Sequence, residues 1–354
     1  MNSCYDVYKG KKVFITGHTG FKGSWLSLWL KLLGADVCGY SLEPDTNPSL
    51  FEILNLKKKI KNVIGDILDN EKLKQNLLDF KPDIIFHLAA QSLVRLSYRE
   101  PQKTYQTNVI GALNVLEAAR NCPSTIAFVN ITSDKCYENI EQRYHYREDD
   151  KLGGYDMYSS SKACSEILSS SYRNSFLKNN GFLLATARAG NVIGGGDWAS
   201  DRLVPGCIRS IMANEAIILR NPSSIRPWQY VLEPLSGYLS LGANLLKEKS
   251  VFAQSYNFGP DDESILSVEN VANLVVRHFG VGKIIVQASE NLHEAELLML
   301  DIGKAKKELN WKPTYSIEIA IQKTVEWYKK YYDGREMRKY SISAIDDYMR
   351  SAEN

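Results

Sequence analysis

The stretch Val-Phe-Ile-Thr (13–16), Gly-His-Thr-Gly-Phe-Lys-Gly (17–23) and Ser-Trp-Leu-Ser-Leu-Trp-Leu-Lys-Leu-Leu (24–33) decides the fold. It reads as a short strand, a glycine turn and a helix, in that order. Glycines let a backbone turn tightly and come close to a pyrophosphate, while the start of a helix offers free N–H groups and a positive dipole end. Gly17, Gly20 and Gly23 therefore mark a candidate dinucleotide site, with Lys22 a cation beside the same turn. A solvated Lys22 is the plainer alternative.

Working outward, short β-branched runs alternate with longer helical patterns from Lys12 to about Gly181, the signature of βαβ units. Strands are expected at Val13–Thr16, Val37–Tyr40, Asn62–Gly65, Ile84–Leu88, Ile126–Ile131 and Phe182–Arg188. Helices are expected at Ser24–Leu33, Asn70–Phe80, Thr104–Asn121 and Tyr158–Leu177. The fold class is α/β, a doubly wound parallel (Rossmann) sheet. After Gly190 the pattern changes to a glycine-rich loop, Gly194–Asp197, and shorter elements interrupted by Pro205, Pro222, Pro227 and Pro234. These include a helix at Val204–Asn214, strands at Ile217–Leu219, Ser255–Gly259 and Ile284–Ala288, a helix from Ser267 and another at Ser316–Tyr332. The expected division is residues 1–189 as the first domain and mainly 190–354 as a smaller α/β domain, with some segments returning to the first. Ligands of open α/β sheets bind beyond the carboxyl ends of the strands, so the cleft is expected there.

At 354 residues, 44% hydrophobic and 24% charged, the chain is long enough for a large core and unlike collagen, a disordered tail or a small disulfide scaffold. Lys and Arg total 43 against 41 Asp and Glu, too balanced for a nucleic-acid or membrane partner recognised by gross charge. The longest apolar stretch, Trp25–Leu33, is interrupted by Lys31 and falls short of the ~20 residues that span a bilayer. No secretory signal opens the chain, so the cytoplasm is expected. Cys4, Cys38, Cys122, Cys136, Cys164 and Cys207 lack metal-ligand spacing and read as reduced thiols, with no metal expected.

Catalytic chemistry is suggested by Tyr158-Ser-Ser-Ser-Lys162. Residues i and i+4 share a helix face, and a neighbouring ammonium stabilises the phenolate of a tyrosine whose ordinary pKa is about 10. Such a tyrosine accepts a hydroxyl proton while hydride leaves the same carbon for a nicotinamide, and Ser133, at the end of the fifth strand, holds the oxygen. After the second strand, Gly39-Tyr40-Ser41-Leu42-Glu43 has no arginine to take a 2′-phosphate, which favours NAD with Ser41 on the ribose. Asp66 after the third strand is placed to bind the adenine amine or, more plainly, to cap a turn. Arg202 and Arg226 are candidate diphosphate clamps through bidentate guanidinium contacts. Trp228 and Tyr256 are aromatic candidates for base or sugar packing, with core packing as the alternative.

The glycine turn, Ser133, Tyr158 and Lys162 resemble the extended short-chain dehydrogenase/reductase family, and the likeness runs nearly the whole chain. It implies cofactor contacts from the turn (Gly17, His18, Gly20, Phe21, Lys22, Gly23), from Ser41, Asp66 and Ile67, from Leu88-Ala89-Ala90-Gln91, and from Asn108, Thr132, Tyr158 and Lys162. For substrate it implies Gln91, Ser133, Asn191, Arg202, Leu203, Val204, Arg226, Tyr230 and Tyr256. Within the family the wording at 17–26, 132–139, 153–166, 194–205 and 226–239 resembles the dehydratase branch acting on CDP-glucose. In related branches the residues after the serine are Asp-Glu or similar, an acid that protonates the leaving C6 hydroxyl and a base for the C5 proton. Here they are Asp134 and Lys135. Lys135 as base, Glu138 as base, and Lys135 as a mere ion-pair partner of Asp134 all stay open. Gly206 and Tyr230 depart from the family wording, where an acid and a histidine are usual. The resemblance also implies dimerisation through the helices 104–121 and 158–177, with a tetramer open, and a role in bacterial surface-polysaccharide deoxysugar synthesis. A 4-epimerase, another nucleotide-sugar substrate and a non-catalytic NAD sensor are the competing readings; the intact Ser133, Tyr158 and Lys162 argue against the sensor.

Overall fold

The computed structural model describes residues 4–177, 182–287 and 297–353. The strands are β1 (Lys12–Thr16), β2 (Asp36–Ser41), β3 (Lys61–Ile64), β4 (Ile84–His87), β5 (Ala127–Ile131), β6 (His145–Tyr146), β7 (Leu183–Arg188), β8 (Val192–Ile193), β9 (Ile217–Leu219), β10 (Ile225–Pro227), β11 (Gln229–Tyr230), β12 (Ser255–Asn257), β13 (Ile265–Ser267), β14 (Ile284–Val286) and β15 (Met299–Leu300). The helices are α1 (Phe21–Leu32), α2 (Leu50–Ile53), α3 (Asn70–Phe80), α4 (Val94–Arg99), α5 (Pro101–Tyr105), α6 (Gly111–Arg120), α7 (Met157–Tyr172), α8 (Leu203–Met212), α9 (Leu232–Leu246), α10 (Val268–Phe279), α11 (Gly303–Leu309), α12 (Ile317–Tyr332) and α13 (Met337–Glu353).

Seven strands pair in parallel in the order β12-β7-β5-β4-β1-β2-β3. Chain order runs outward in both directions from β1 and β4, so the connections leaving these neighbours diverge and open a crevice above Thr16 and His87. Helices cover both faces, which explains strands buried almost from end to end. Along β1 the side chains alternate: Val13 and Ile15 join one core with α1 and α9, and Phe14 joins the other with α3 and α6.

The six expected strands of the first region form within a residue or two of their expected ends. Two expected helices are interrupted. Residues 104–121 divide into α5, a π turn at Gln106–Ile110 and α6, and residues 158–177 into α7 and a π turn at Arg173–Leu177. β12, expected in the second region, adds to the edge of the large sheet beside β7. In the expected strand 284–288, Ile284–Val286 pairs with β9, and Ala288 lies outside the described residues. No described helix is long and apolar enough to cross a membrane, and all six cysteines are free thiols.

Helices α9 and α13 have no counterpart among the expected elements. α9 is buried along nearly its whole length, so it lacks the polar face that reveals a helix in sequence. Glu233, in its first turn, is fully buried; its carboxylate accepts hydrogen bonds from Tyr315 N (2.8 Å), Thr314 N (3.0 Å) and the Tyr348 hydroxyl (2.6 Å), tying α9 to α13. Burial pushes this carboxyl up to about 7, against the pull of those donors. The folded state thus holds a proton that the unfolded chain releases near pH 4.3. The stabilisation is complete below that pH and is lost as pH rises through 7. Relative to Glu233→Gln, the wild type is expected to lose thermal stability between pH 5 and 8 in denaturation scans; a difference independent of pH contradicts this.

Candidate active site

β1 delivers the chain to Gly17, which sits at φ 77°. A side chain there would place Cβ 2.7 Å from Ala89 N, and one at Gly23 would come within 2.1 Å of Gly17 O. The turn is therefore pressed against the segment that follows β4, and only glycine fits both places. α1 starts at Phe21 with Gly20 as N-cap and no side-chain cap, leaving the first-turn N–H groups to a ligand. Ser41, at the end of β2, bonds Thr19 Oγ1 at 2.9 Å. Leu88, Ala89 and Ala90 are half-buried along the crevice. This close-pressed turn and uncapped helix start fit the pyrophosphate of a dinucleotide.

Three residues expected at the cofactor are also engaged within the fold. His18 is fully buried, its ring against Gly39 and Phe51 and its Nε2 2.6 Å from Asn62 Oδ1. Ile67 is buried against Gly111. The Asn108 amide accepts from Gln91 N (2.8 Å) and donates to Gln91 O and Ser161 Oγ, stapling a loop to α7. Asp66 is half-buried, and its Oδ1 caps a turn by accepting from Leu68 N at 2.9 Å.

Ser133 ends the loop after β5 and caps a short turn: its Oγ accepts from Lys135 N (3.2 Å) and donates to Asp134 Oδ1 (2.9 Å). Tyr158, in the first turn of α7, faces the same cavity as this serine, near enough for the serine hydroxyl to act on its phenol. Burial pushes the Tyr158 phenol up to about 12, with Ser133 and Arg202 pulling it down and Asp134 adding to the rise. Lys162 was expected to counter this, but its Nζ turns to the Ile131 carbonyl oxygen, 3.4 Å away. Burial lowers the ammonium itself to about 8, opposed by Glu166 and Cys136.

Asp134 is buried, with Asn191 Nδ2 3.5 Å from its Oδ2. Its carboxylate is held by Ser133 and Asn191, so the expected alternative of an Asp134–Lys135 ion pair does not form among the described residues. Lys135 is half-buried and lines the cavity. Glu138, the rival base, points outward and pairs with Lys151 at 2.5 Å.

A cavity of about 570 Å³ runs from Ser133, Asp134, Lys135 and Tyr158 past Lys22 and Asn191 to Arg202, Leu203, Val204 and Arg226. Burial, together with the charges of Lys162 and Arg202, lowers Lys22 to about 7, and Asp134 opposes the drop. Arg202 caps α8 and is fixed by Asp197 at 2.8 Å, a partner that sequence reasoning missed. Gly206 also lines the space, and a side chain there would meet nothing within 4 Å. Trp228 reaches the wall while its Nε1 donates to Leu266 O at 3.0 Å. The far wall, Glu215–Asn221, comes from the expected strand β9 and its flanks, whose place at the cavity the sequence did not indicate.

Three expected substrate residues do not belong to this lining. Tyr230 is buried against Tyr315, with ring centroids 5.8 Å apart. Tyr256 is buried with its hydroxyl on Glu308 (2.7 Å) and Lys304 over its ring. The Gln91 amide is used by Leu93 and Thr104, which also bears on its expected cofactor role.

A side chain at Gly190 would place Cβ 1.8 Å from Asp134 Oδ2. Gly190→Ala is expected to leave a folded protein, seen by circular dichroism, in which the displaced carboxylate cuts turnover about 100-fold, the usual cost of a 1 Å misplacement. Wild-type turnover in this variant contradicts a fixed position for Asp134.

Residues 14–324 match the family described as GDP-mannose 4,6 dehydratase. The chain is 49% identical over 350 residues to CDP-glucose 4,6-dehydratase of Salmonella typhimurium, covering 97% of this chain and 98% of that one. Among solved structures, an epimerase of Methanothermobacter thermautotrophicus superposes with a TM-score of 0.81 at 23% identity, covering 95% of this chain and 96% of that one. A double mutant of dTDP-glucose 4,6-dehydratase from Streptomyces venezuelae, with NAD bound, superposes with a TM-score of 0.79 at 21% identity, covering 92% and 98%. A glycine turn under a parallel sheet, a tyrosine near a serine and a buried aspartate beside them thus occur in a chain that belongs to the GDP-mannose 4,6 dehydratase family, among the extended short-chain dehydrogenases/reductases.

Proposed function

We propose that the protein is a hydro-lyase that converts CDP-D-glucose to CDP-4-dehydro-6-deoxy-D-glucose. The observation that carries this is the run Ser133-Asp134-Lys135 beside Tyr158: an acid held 2.9 Å from the serine and a lysine on the cavity wall, in a chain 49% identical to a CDP-glucose 4,6-dehydratase. An epimerase has no use for this additional pair.

NAD+, when bound, supplies the acceptor for the C4 hydride and gives it back at C6, so it ends each cycle oxidised. The glycine turn and the α1 N-terminus would hold its pyrophosphate, and Ser41 would serve the ribose. Tyr158, once its phenol proton has passed to solvent under the pull of nearby positive charge such as Arg202, takes the C4 hydroxyl proton as a phenolate, and Ser133 holds the oxygen as it becomes a carbonyl. The ketone acidifies the C5 proton, Lys135 as the neutral amine removes it, Asp134 protonates the C6 oxygen, which departs as water, and Lys135, after exchange with solvent, gives a proton back to C5 as the hydride reaches C6. Asn191, Arg202 and Arg226 hold the diphosphate. In this reading residues 1–189 serve the cofactor and 190–354 mainly the nucleotide sugar, while β12 and α9 return to the large sheet. The enzyme works in the cytoplasm, in deoxysugar synthesis for a lipopolysaccharide.

Purified protein with NAD+ is expected to form the keto-deoxy product from CDP-glucose without accumulating NADH absorbance. Turnover confined to dTDP-, UDP- or GDP-sugars overturns the choice of substrate. Tyr158→Phe should lower turnover about 1,000-fold, within the usual range for a general acid–base, and Lys135→Ala should slow C5 proton exchange with solvent; unchanged rates remove those roles.

We also propose a homodimer formed by the helical segments at 104–121 and 158–177. Ile110, Ile167 and Phe176 are 48%, 56% and 52% exposed there, apolar side chains that a partner subunit would cover. Sedimentation at micromolar concentration should give twice the chain mass, and a monomer contradicts it.

A further inference from the structure

Tyr158, Lys162 and Glu166 lie at i, i+4 and i+8 on the buried face of α7. Glu166 has no direct place in the chemistry above, yet its carboxylate is fully used. Oε1 accepts from Thr132 Oγ1 at 2.5 Å, and Oε2 accepts from Thr186 Oγ1 (2.8 Å), Ser255 Oγ (3.3 Å) and Arg188 Nη2 (2.8 Å). One side chain thus ties the helix to three adjacent strands: to the carboxyl ends of β5 and β7 and to Ser255, the first residue of β12. Thr132 directly precedes Ser133 and directly follows Ile131, whose carbonyl oxygen faces the Lys162 ammonium. Arg188 is itself held by Tyr137 and by Glu148 O.

We propose that Glu166 is a positioning residue: it sets the Thr132–Ser133 strand end against Tyr158 and supplies the negative charge that keeps Lys162 an ammonium at neutral pH. Buried ion pairs with complete hydrogen bonding fix geometry more than they add stability. Burial opposes the Glu166 charge, but Arg188, Thr132 and Thr186 hold the carboxyl below its ordinary range, so it stays ionised. The other groups coupled to Lys162 are Cys136 in the turn after β5, Lys22 from α1 and His87 from β4. Burial and the lysine charge keep His87 neutral, down to about 3, and Lys22 is a like charge. Burial also pushes the Cys136 thiol far up, so it is uncharged. Glu166 is then the carboxylate among them that favours the ammonium.

The test is the pH dependence of Lys162 acylation by acetic anhydride, read by peptide mass spectrometry on the full-length protein, beside the pH profile of kcat. Glu166→Gln keeps the shape and loses the charge. Its labelling midpoint and the alkaline limb of kcat should both move down by at least about one pH unit, the usual effect of losing a neighbouring opposite charge, and Glu166→Asp should restore most of the shift. An unchanged midpoint overturns the proposal, as does a variant that loses only thermal stability. Should the unpaired Arg188 unfold Glu166→Gln, the double variant Glu166→Gln/Arg188→Gln removes both charges and should show the same downward shift; a wild-type midpoint there is equally contrary. The proposal rests on the assignment of Tyr158 and Lys162 to the reaction, but labelling requires no turnover, so failure of that assignment would appear in the kinetics alone.

Discussion

Helix α7 is polar where it is buried, and the site depends on that constraint. Its inward face carries Tyr158, Ser161, Lys162, Ser165, Glu166 and Ser169. Asn108 bonds Ser161, and Asn130 on β5 bonds Ser165 (3.1 Å) and Ser169 (2.9 Å). An apolar helix face is held by area and can shift with little penalty. A face held by directional bonds cannot shift without stranding buried donors, at roughly 1–3 kcal/mol each. The register of α7 against β5 is consequently specified, and with it the meeting of Tyr158 and Ser133.

The same economy of space governs the other walls. Gly17 and Gly23 bring the nucleotide turn against β4, and Gly190 leaves room for the Asp134 carboxylate. Arg202 is already neutralised by Asp197, while Lys22 sits in the cavity with its ammonium depressed toward 7. An anionic ligand therefore meets one cation with a fixed partner and another whose charge it would restore. The phenol and the ammonium of α7 are both held toward their neutral forms by burial, so each responds strongly to a charge placed beside it.

Much of this was legible in sequence, for specific reasons. The turn at 17–23 and the alternation up to Arg188 announced the parallel sheet, because glycine position and period are local properties. The i, i+4 spacing put Tyr158 and Lys162 on one helix face, and Ser133, Asp134, Lys135, Asn191, Arg202 and Arg226 do converge on one cavity. Less legible were the uses the fold itself makes of residues that the resemblance places at the ligands: Tyr230 packs on Tyr315, Tyr256 bonds Glu308, His18 packs against Gly39 and Phe51, the Gln91 amide bonds Leu93 and Thr104, and the Asn108 amide bonds Gln91 and Ser161. Helix α9 stayed hidden because burial on all sides erases amphipathic period. The partner of Lys162 is a main-chain carbonyl, to which no residue pattern points, and the role of β12 depends on a pairing 69 residues distant in the chain, Ser255 with Thr186.

The central claim is that oxidation, elimination and reduction occur on one bound sugar without exchange of the transferred hydrogen. The direct measurement is the fate of deuterium from CDP-[4-²H]glucose turned over in ordinary water, followed by mass spectrometry and NMR of the product. The account predicts deuterium at C6 of the same molecule, with a solvent proton at C5. Deuterium lost to solvent, left at C4, or scattered into unlabelled molecules mixed in at the start would contradict it.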